Sequence, residues 1–146
     1  MRDDWVPENA EEFALHLKRL RAQREELKAG SKSPGRKHNA LSSDERNAVL
    51  RKTDGRCHVC GGLIEGPWQA DHVLARSGGG DHSVDNYLPA HRTCNNYRWD
   101  YLPEEFQEIL RMGVWLRTQV ETQTPGGRSA GESFIDHEKR RLRRRK

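Results

Sequence analysis

The sequence predicts a small α+β domain with helices on both sides of it. Cysteine and histidine residues are grouped in two short turns, at 57–60 and 91–94, and the chain between them combines short extended runs with a glycine-rich loop. The segments before and after have apolar residues at helical spacing. Because only 33% of the 146 residues are hydrophobic and 33% are charged, we expect a cross-link to supplement a small apolar core.

Charge and hydropathy limit the classes of function. The net charge is +4 and the pI about 9.1, and the last eight residues, "KRRLRRRK", hold seven cations. Such a segment favours polyanions through counterion release without any sequence preference, and a solvated end with no specific partner is the alternative. The chain does not open with a signal peptide, and no apolar run approaches the roughly 20 residues that span a bilayer. We therefore expect a cytoplasmic protein of a reducing compartment with no membrane partner.

Residues 1–40 predict an amphipathic helix followed by a basic linker. The apolar residues within 8–28 recur at steps of four, three and seven residues: Phe13, Leu17, Leu20 and Leu27. This stripe indicates a docking face or the partner of a second helix in a helical hairpin. Glycine, serine, proline and cations at 29–40 are typical of a linker.

A second helix is predicted to begin near Ser42, because Ser42 followed by Glu45 fits a capping box. Gly55 is the predicted stop at its C-terminal end. The run "LIEGPWQADHVLA" is interrupted at Gly66-Pro67 and predicts the strands of a hairpin. "RSGGGDHSVDN" predicts a loop, because three consecutive glycines suit neither a strand nor a helix.

The last third of the chain predicts more helix. The chain looks helical from Thr93, and Pro103 fits the first turn of a further helix over 103–122. Its apolar side contains Phe106, Ile109, Leu110, Leu116 and Val120. We assign 41–102 to the central domain and 123–146 to a flexible spacer and basic tail.

The two turns predict a structural zinc site. Cys57 and Cys60 form a C-x-x-C, and His91 and Cys94 form an H-x-x-C. This spacing is typical of tetrahedral zinc bound by three thiolates and one imidazole, and such a site supplies folding free energy on the order of 10 kcal/mol. A redox motif or a disulfide is the alternative, but the strand–helix alternation of thioredoxin-like folds is missing. His58, inside the first turn, is expected to be exposed.

The segment 42–98 resembles the HNH endonuclease family. Its zinc-containing members are written C-x-x-C, D-H-[IV]-x-P-x-S-x-G-G, E-N-L and C-x-x-C-N-x-x-K, and here these elements are "CHVC", "DHVLARSGGG" and "DNYLPAHRTCNNYR". Ala75 replaces a common proline, His91 replaces the third cysteine, and Asn95 stands where many members have a final histidine. The resemblance implies a ββα-metal, treble-clef-like fold.

The resemblance also implies a divalent-metal-dependent endonuclease acting on DNA. His72 is the expected general base, because imidazole, with a pKa of about 6.5, is partly neutral at working pH. Asp71 and Asn95 are expected to hold Mg²⁺ or Mn²⁺ through oxygen atoms. Adjacent residues of a strand point to opposite faces, so Asp71 and His72 can have different tasks. Asn86 is implied to orient His72 by bonding backbone across the loop, and Arg98 to contact a phosphate.

Double-stranded DNA is the expected partner, and the N-terminal stripe allows a homodimer. The expected nucleic-acid contacts are Arg98, Arg76, Arg140, Arg141, Arg143, Arg144 and Arg145. A non-catalytic zinc-dependent nucleic-acid-binding module is the main alternative, although it does not need the Asp-His pair. An adaptor that binds proteins through the helices at 8–28 and 104–122 is a third hypothesis. His82 is expected to be exposed, or else to act as a third metal ligand.

Overall fold

The computed structural model describes residues 6–30, 40–75 and 79–144. The elements in chain order are α1 (Ala10–Gly30), α2 (Ser43–Arg51), β1 (Gln69–His72), a 3-10 turn (Val84–Asn86), β2 (Tyr87–Ala90), α3 (Arg92–Arg98), α4 (Pro103–Glu121) and α5 (Pro125–Arg143). The chain forms two compact units, Met1–Glu105 and Phe106–Lys146. Within the described part, no helix has the length and apolar character needed to cross a bilayer.

The centre of the first unit is a ββα arrangement. β1 pairs with β2 in antiparallel register, from Gln69 opposite Ala90 to His72 opposite Tyr87. α3 begins two residues after β2 ends. Together with the Cys/His group described below, this confirms the predicted α+β class and the small ββα-metal fold.

The predicted partner of β1 was wrong. The run "LIEGPWQADHVLA" does not fold on itself: Leu63 forms only an isolated bridge to Arg56, and β1 pairs with a strand on the far side of the glycine-rich loop. Gly66, at φ 91°, adopts a left-handed conformation that interrupts extended structure. Residues 61–65 therefore continue from the Cys57–Cys60 turn, and only residues after Pro67 enter the sheet.

Both predicted signals at the ends of α2 are present. The Ser42 hydroxyl accepts a hydrogen bond from the Glu45 N–H, and the Glu45 carboxylate accepts one from the Ser42 N–H at 2.8 Å, completing the capping box. Hydrogen bonds to the Glu45 carboxylate from the Ser42 backbone, and then from the Ser42 side chain, hold the pKa of Glu45 below its usual value. After the helix, Gly55 takes a φ of 73° and donates to the Leu50 carbonyl, so the chain turns back towards the sheet.

The apolar core is small, as the composition predicts. The buried hydrophobic residues in the described part are Leu20, Val49, Cys57, Tyr87 and Ala90. Val49 of α2 and Ala90 of β2 are both 0% exposed, which shows that α2 covers one side of β2. A core of this size supplies little stability, so polar contacts and cross-links must contribute much of it.

A buried arginine attaches α1 to the chain that follows α3. Arg24 is only 4% exposed, and its guanidinium lies over the rings of Trp99 and Tyr101, at 4.8 and 5.2 Å from the centroids. Its Nε donates to the Glu105 carboxylate at 2.9 Å, and Asp100 provides a second carboxylate at 3.5 Å. This combination of ion pairing and cation–π contact fixes α1 within the first unit.

The second unit corrects the expectation of a flexible spacer over 123–146, because the chain from Pro125 is helical. Thr124 is the N-cap, accepting a hydrogen bond from the Gly127 N–H at 3.0 Å, and Pro125 occupies the first turn. A Cβ at Gly127 would lie 2.0 Å from the Gln119 carbonyl oxygen. Gly127, one of the glycines that suggest flexibility in the sequence, therefore permits close approach of α5 to α4.

Replacing Arg24 with alanine is expected to destabilise the first unit by about 3 kcal/mol, because Glu105 is then buried without its cation. Denaturant unfolding followed by tryptophan fluorescence measures the change. Arg21→Ala, an exposed charge on the same helix, is the matched control and should change stability by less than about 0.5 kcal/mol. Equal effects of the two substitutions would contradict the role given to Arg24.

Candidate functional site

The two turns that contain cysteine and histidine meet at one point. Cys57, Cys60, His91 and Cys94 each offer a ligand atom, and these atoms all lie within 4.8 Å of one another. None of the three cysteines is in a disulfide. The first turn is closed by a hydrogen bond from the Gly61 N–H to the Cys57 carbonyl at 2.8 Å, and Gly61 has a φ of 73° that favours glycine.

The His91 ring is oriented as a metal ligand. Its Nε2 lies 3.0 Å from the Leu63 carbonyl oxygen, and a carbonyl only accepts, so the ring proton is on Nε2. Nδ1 then presents its lone pair to the cysteine sulfurs, 3.4 Å from Cys60 and 3.8 Å from Cys94. A backbone carbonyl that fixes the tautomer in this way is typical of metal-bound histidine.

The pKa values of two cysteines show why this group favours a cation. Burial by itself raises the pKa of Cys57, but hydrogen bonds from the backbone N–H groups of Cys60, His91 and Val59 outweigh it and lower the pKa to about 6. At Cys94, burial and then the neighbouring Cys60 and Cys57 raise the pKa to about 12. Thiolates this close repel each other, and Zn²⁺ removes that repulsion when it binds all of them. The four residues can hold structural zinc.

Asp71 lies on the side of β1 that faces α3, and it is 4% exposed. Its two carboxylate oxygens accept from the Arg98 guanidinium at 3.0 and 2.9 Å. Oδ2 also lies 2.7 Å from the Nε2 of His58. Arg98 donates further to the backbone carbonyls of His72 and Val73, at 3.0 Å each. Arg98 therefore fastens the end of α3 to β1, and its expected phosphate contact stays a prediction.

His58 was wrongly expected to be exposed, since its side chain is 15% exposed and bonds Asp71. Its backbone N–H also donates to the Pro89 carbonyl at 3.0 Å. The C-x-x-C turn thus reaches both strands through one residue. Sequence reasoning missed this because the contact spans two separate segments and leaves no local pattern.

Asn95 meets the same face of β1. Its amide nitrogen donates to the Gln69 Oε1 at 2.8 Å, and alternate residues of a strand, such as Gln69 and Asp71, share a face. A carboxylate offers about four acceptor positions, and the described neighbours of Asp71 use three. One position on its Oδ1 can therefore accept a cation, which would share the carboxylate with Arg98. Cation binding by Asp71 and Asn95 remains a prediction.

His72 lies on the opposite side of the hairpin. It contacts two residues, His82 and Tyr87, that the sequence did not connect with it. Its ring centroid is 4.6 Å from that of Tyr87 and 4.8 Å from that of His82. Its Nε2 lies 3.1 Å from the His82 Nδ1, which in turn lies 2.6 Å from the Tyr87 hydroxyl. His82 is exposed, as expected, yet it contacts the ring of the proposed base.

Asn86 makes the contacts expected of a residue that holds the loop. Its Oδ1 accepts from the Leu74 N–H at 2.9 Å, and its Nδ2 donates to the carbonyls of Leu74 and Asp81. A Cβ at Gly80 would lie 1.8 Å from the Leu74 carbonyl oxygen, so the loop can close in this form only with glycine there. How far Asn86 also orients His72 stays a prediction.

The basic residues near the end of the chain lie on a helix. Arg140, Arg141 and Arg143 belong to α5, and Arg144 is its C-cap. An open cavity of about 390 Å³ is lined by His137, Arg140, Arg141 and Arg144. Arg141 is paired with Glu138, which reduces its availability for other anions. Two further predicted contacts, Arg76 and Arg145, lie outside the described residues.

Comparison with known families decides the assignment of the central segment. The family HNH endonuclease matches residues 57–98. Residues 57–98 are an HNH domain. The predicted resemblance is thus confirmed over less than a third of the chain, and the domain indicates a nuclease or other nucleic-acid-related activity. No curated protein matches the chain.

The HNH domain begins and ends at residues with structural roles. It starts at Cys57, a zinc-ligand candidate, and ends at Arg98, which holds Asp71. It includes the whole ββα arrangement and both turns of the Cys/His group. α1, α2, α4 and α5 lie outside the matched residues.

The purified chain is expected to carry one zinc ion, and His91→Gln should lose it, because Nδ1 is then absent from the ligand set. Elemental analysis measures the zinc, and circular dichroism the fold. His137→Gln, an exposed histidine of α5, is the control and should retain zinc. Full zinc content in His91→Gln would contradict the role given to His91 as a ligand.

Proposed function

We propose that the chain is a divalent-metal-dependent HNH endonuclease that hydrolyses phosphodiester bonds of DNA. The observation that carries the proposal is the placement of Asp71 and His72 within the HNH domain. The two are adjacent in β1, yet Asp71 bonds α3 and the C-x-x-C turn, whereas His72 contacts the loop residue His82. A hairpin that only served as a support would not need a carboxylate and an imidazole on opposite sides.

Phosphodiester hydrolysis has three chemical requirements. A water molecule must lose a proton as it attacks, the negative charge that develops on the phosphoryl oxygens must be stabilised, and the departing 3′-oxygen must be neutralised. In the proposal, His72 accepts the proton from water. Cleavage then leaves a 5′-phosphate and a 3′-hydroxyl at a nick, or at both strands of a break.

Asp71 and Asn95 are proposed to hold Mg²⁺ or Mn²⁺ through oxygen atoms, the ligands these ions prefer. When bound, such an ion supplies Lewis acidity to the phosphate and to the leaving oxygen. The contacts of the chain prepare Asp71 for this task. His58 and Arg98 fix its carboxylate from two sides at 2.7–3.0 Å, so little side-chain freedom is lost on binding.

The basic residues of α5 are proposed to bind the DNA backbone. They are grouped in the last turn of the helix and at its C-cap, and counterion release favours such a cluster for polyanions. Arg76, Arg98 and Arg145 are each proposed to contact the DNA backbone as well, Arg98 where its protein contacts allow. A homodimer, which double-strand cleavage would favour, is part of the same proposal.

A non-catalytic nucleic-acid-binding module is the second candidate. The Cys/His group and the basic helix α5 are sufficient for it. It gives no account of the Asp71 contacts or of the ring contacts of His72, which are the features that favour the enzyme.

Wild-type protein is expected to convert supercoiled plasmid to nicked or linear DNA with Mg²⁺ or Mn²⁺. His72→Ala should lower the rate by about 10²–10⁴, the contribution typical of a general base. Gel electrophoresis of the plasmid over time measures both rates, with zinc content and circular dichroism confirming the fold of the variant. DNA binding by the wild type without cleavage under any divalent cation would favour the binding module instead.

Double substitution of Arg140 and Arg144 by glutamine is expected to weaken DNA binding at every sequence. The slope of log Kd against log salt should fall by about 2, one for each phosphate contact. Fluorescence anisotropy with a duplex oligonucleotide measures it. Arg111→Gln combined with Arg117→Gln removes the same charge from α4, and an equal loss of slope in this control would contradict a specific role for α5.

A further inference from the structure

We infer that His82 and Tyr87 form a positioning pair that holds the His72 imidazole in the tautomer and orientation its task requires. The inference rests on the proposed function, in which His72 accepts a proton from water. It adds two residues to that site: an exposed loop histidine and a buried strand tyrosine, which is 8% exposed.

The pair contacts His72 from two directions. Tyr87 is the direct cross-strand partner of His72, and their rings are tilted by 48° with centroids 4.6 Å apart. His82 meets the His72 ring edge-on, at 79° and 4.8 Å. Contacts of this kind from a strand and from a loop restrict rotation of the His72 ring about both of its side-chain torsions.

The hydrogen bonds give the pair a preferred arrangement of protons. The His82 Nδ1 is 2.6 Å from the Tyr87 hydroxyl and 3.1 Å from the His72 Nε2. A ring nitrogen carries either a proton or a lone pair. The His82 Nδ1 either shares its one lone pair between two donors or divides one proton between two acceptors. The 2.6 Å contact favours the first arrangement, because a phenolic O–H donates to an imidazole nitrogen more readily than an imidazole N–H donates to a phenol oxygen.

The first arrangement places the His72 proton on Nε2 and its lone pair on Nδ1. His72 Nδ1 is then the atom that accepts the proton from water. After that transfer the imidazolium still donates from Nε2 to the neutral His82 ring, and a hydrogen bond from a charged donor is stronger than one between neutral groups. The pair therefore keeps its hydrogen bond to His72, and so the ring orientation, both before and after the proton transfer.

The loop that carries His82 is itself held in place. The Asn86 amide donates to the Asp81 carbonyl at 2.9 Å, and the Ser83 hydroxyl donates to the Asp81 carboxylate at 2.8 Å. Lys52 of the turn after α2 donates to the Tyr87 carbonyl at 3.1 Å. The residues on either side of His82, and the backbone of Tyr87, are thus fixed independently of the His72 contact.

The test compares His82→Leu, His82→Asn and Tyr87→Phe in the zinc-loaded full chain, by plasmid cleavage over a range of DNA concentrations. His82→Leu should lower kcat by about 10- to 100-fold with KM unchanged, because a base out of position slows the reaction without affecting binding. His82→Asn, which keeps a polar atom at the Nδ1 position, should restore part of the rate. As a single substitution, Tyr87→Phe should lower kcat. Added to His82→Leu, it should have no further effect.

Two arms separate this inference from the proposed function. In a His72→Ala background, His82→Leu should cause no additional loss, since its effect acts through His72. Independently of any activity, nitrogen NMR of the histidine side chains should show the His72 proton on Nε2 in wild type and a shift of that tautomer in His82→Leu. An unchanged tautomer, or a wild-type kcat in folded His82→Leu, overturns the inference; wild-type cleavage by His72→Ala overturns the proposed function itself.

Discussion

The convergence of four ligand atoms within 4.8 Å is the constraint on which the rest of the first unit depends. It joins a turn that follows α2 to the start of α3, and so it closes the ββα arrangement that five buried hydrophobic residues hold only weakly. His58 extends the constraint, because it lies between two of the ligands and bonds both Asp71 and the backbone of β2. The C-x-x-C turn thereby fixes a carboxylate on the neighbouring strand.

The two sides of β1 divide the proposed chemistry. On one side, the Asp71 carboxylate pairs with Arg98 and His58, so the position of its side chain is fixed before any cation binds. On the other, His72 is set by a tyrosine across the sheet and by a loop histidine. Because side chains alternate along a strand, the proposed cation ligand Asp71 and the proposed general base His72 lie on opposite faces although they are adjacent in β1. Pre-organisation of this kind is what a hydrolytic site on a small core requires.

The features that the sequence predicted correctly have local signals. The capping box of α2, the zinc-ligand spacing and the proline in the first turn of α4 are patterns within a few residues, and each is present in the structure. Two of the features it missed depend on distant segments: the pairing of β1 with β2 and the burial of His58 follow from contacts with Tyr87 and Asp71 that no short window contains. The helix α5 did have a local signal, Thr124 followed by Pro125, but the glycines of "TPGGRSAG" outweighed it in the prediction.

Anomalous diffraction from crystals grown with Mn²⁺ tests the central claim most directly, since zinc and manganese are distinguished at their own absorption edges. The account predicts a zinc peak between the cysteine sulfurs and the Nδ1 of His91, and a manganese peak bound by Asp71 and Asn95 with His72 outside its ligand set. A manganese ion bound by His72, or absent from Asp71 while zinc is fully occupied, would contradict the division of the hairpin into a cation side and a proton-accepting side.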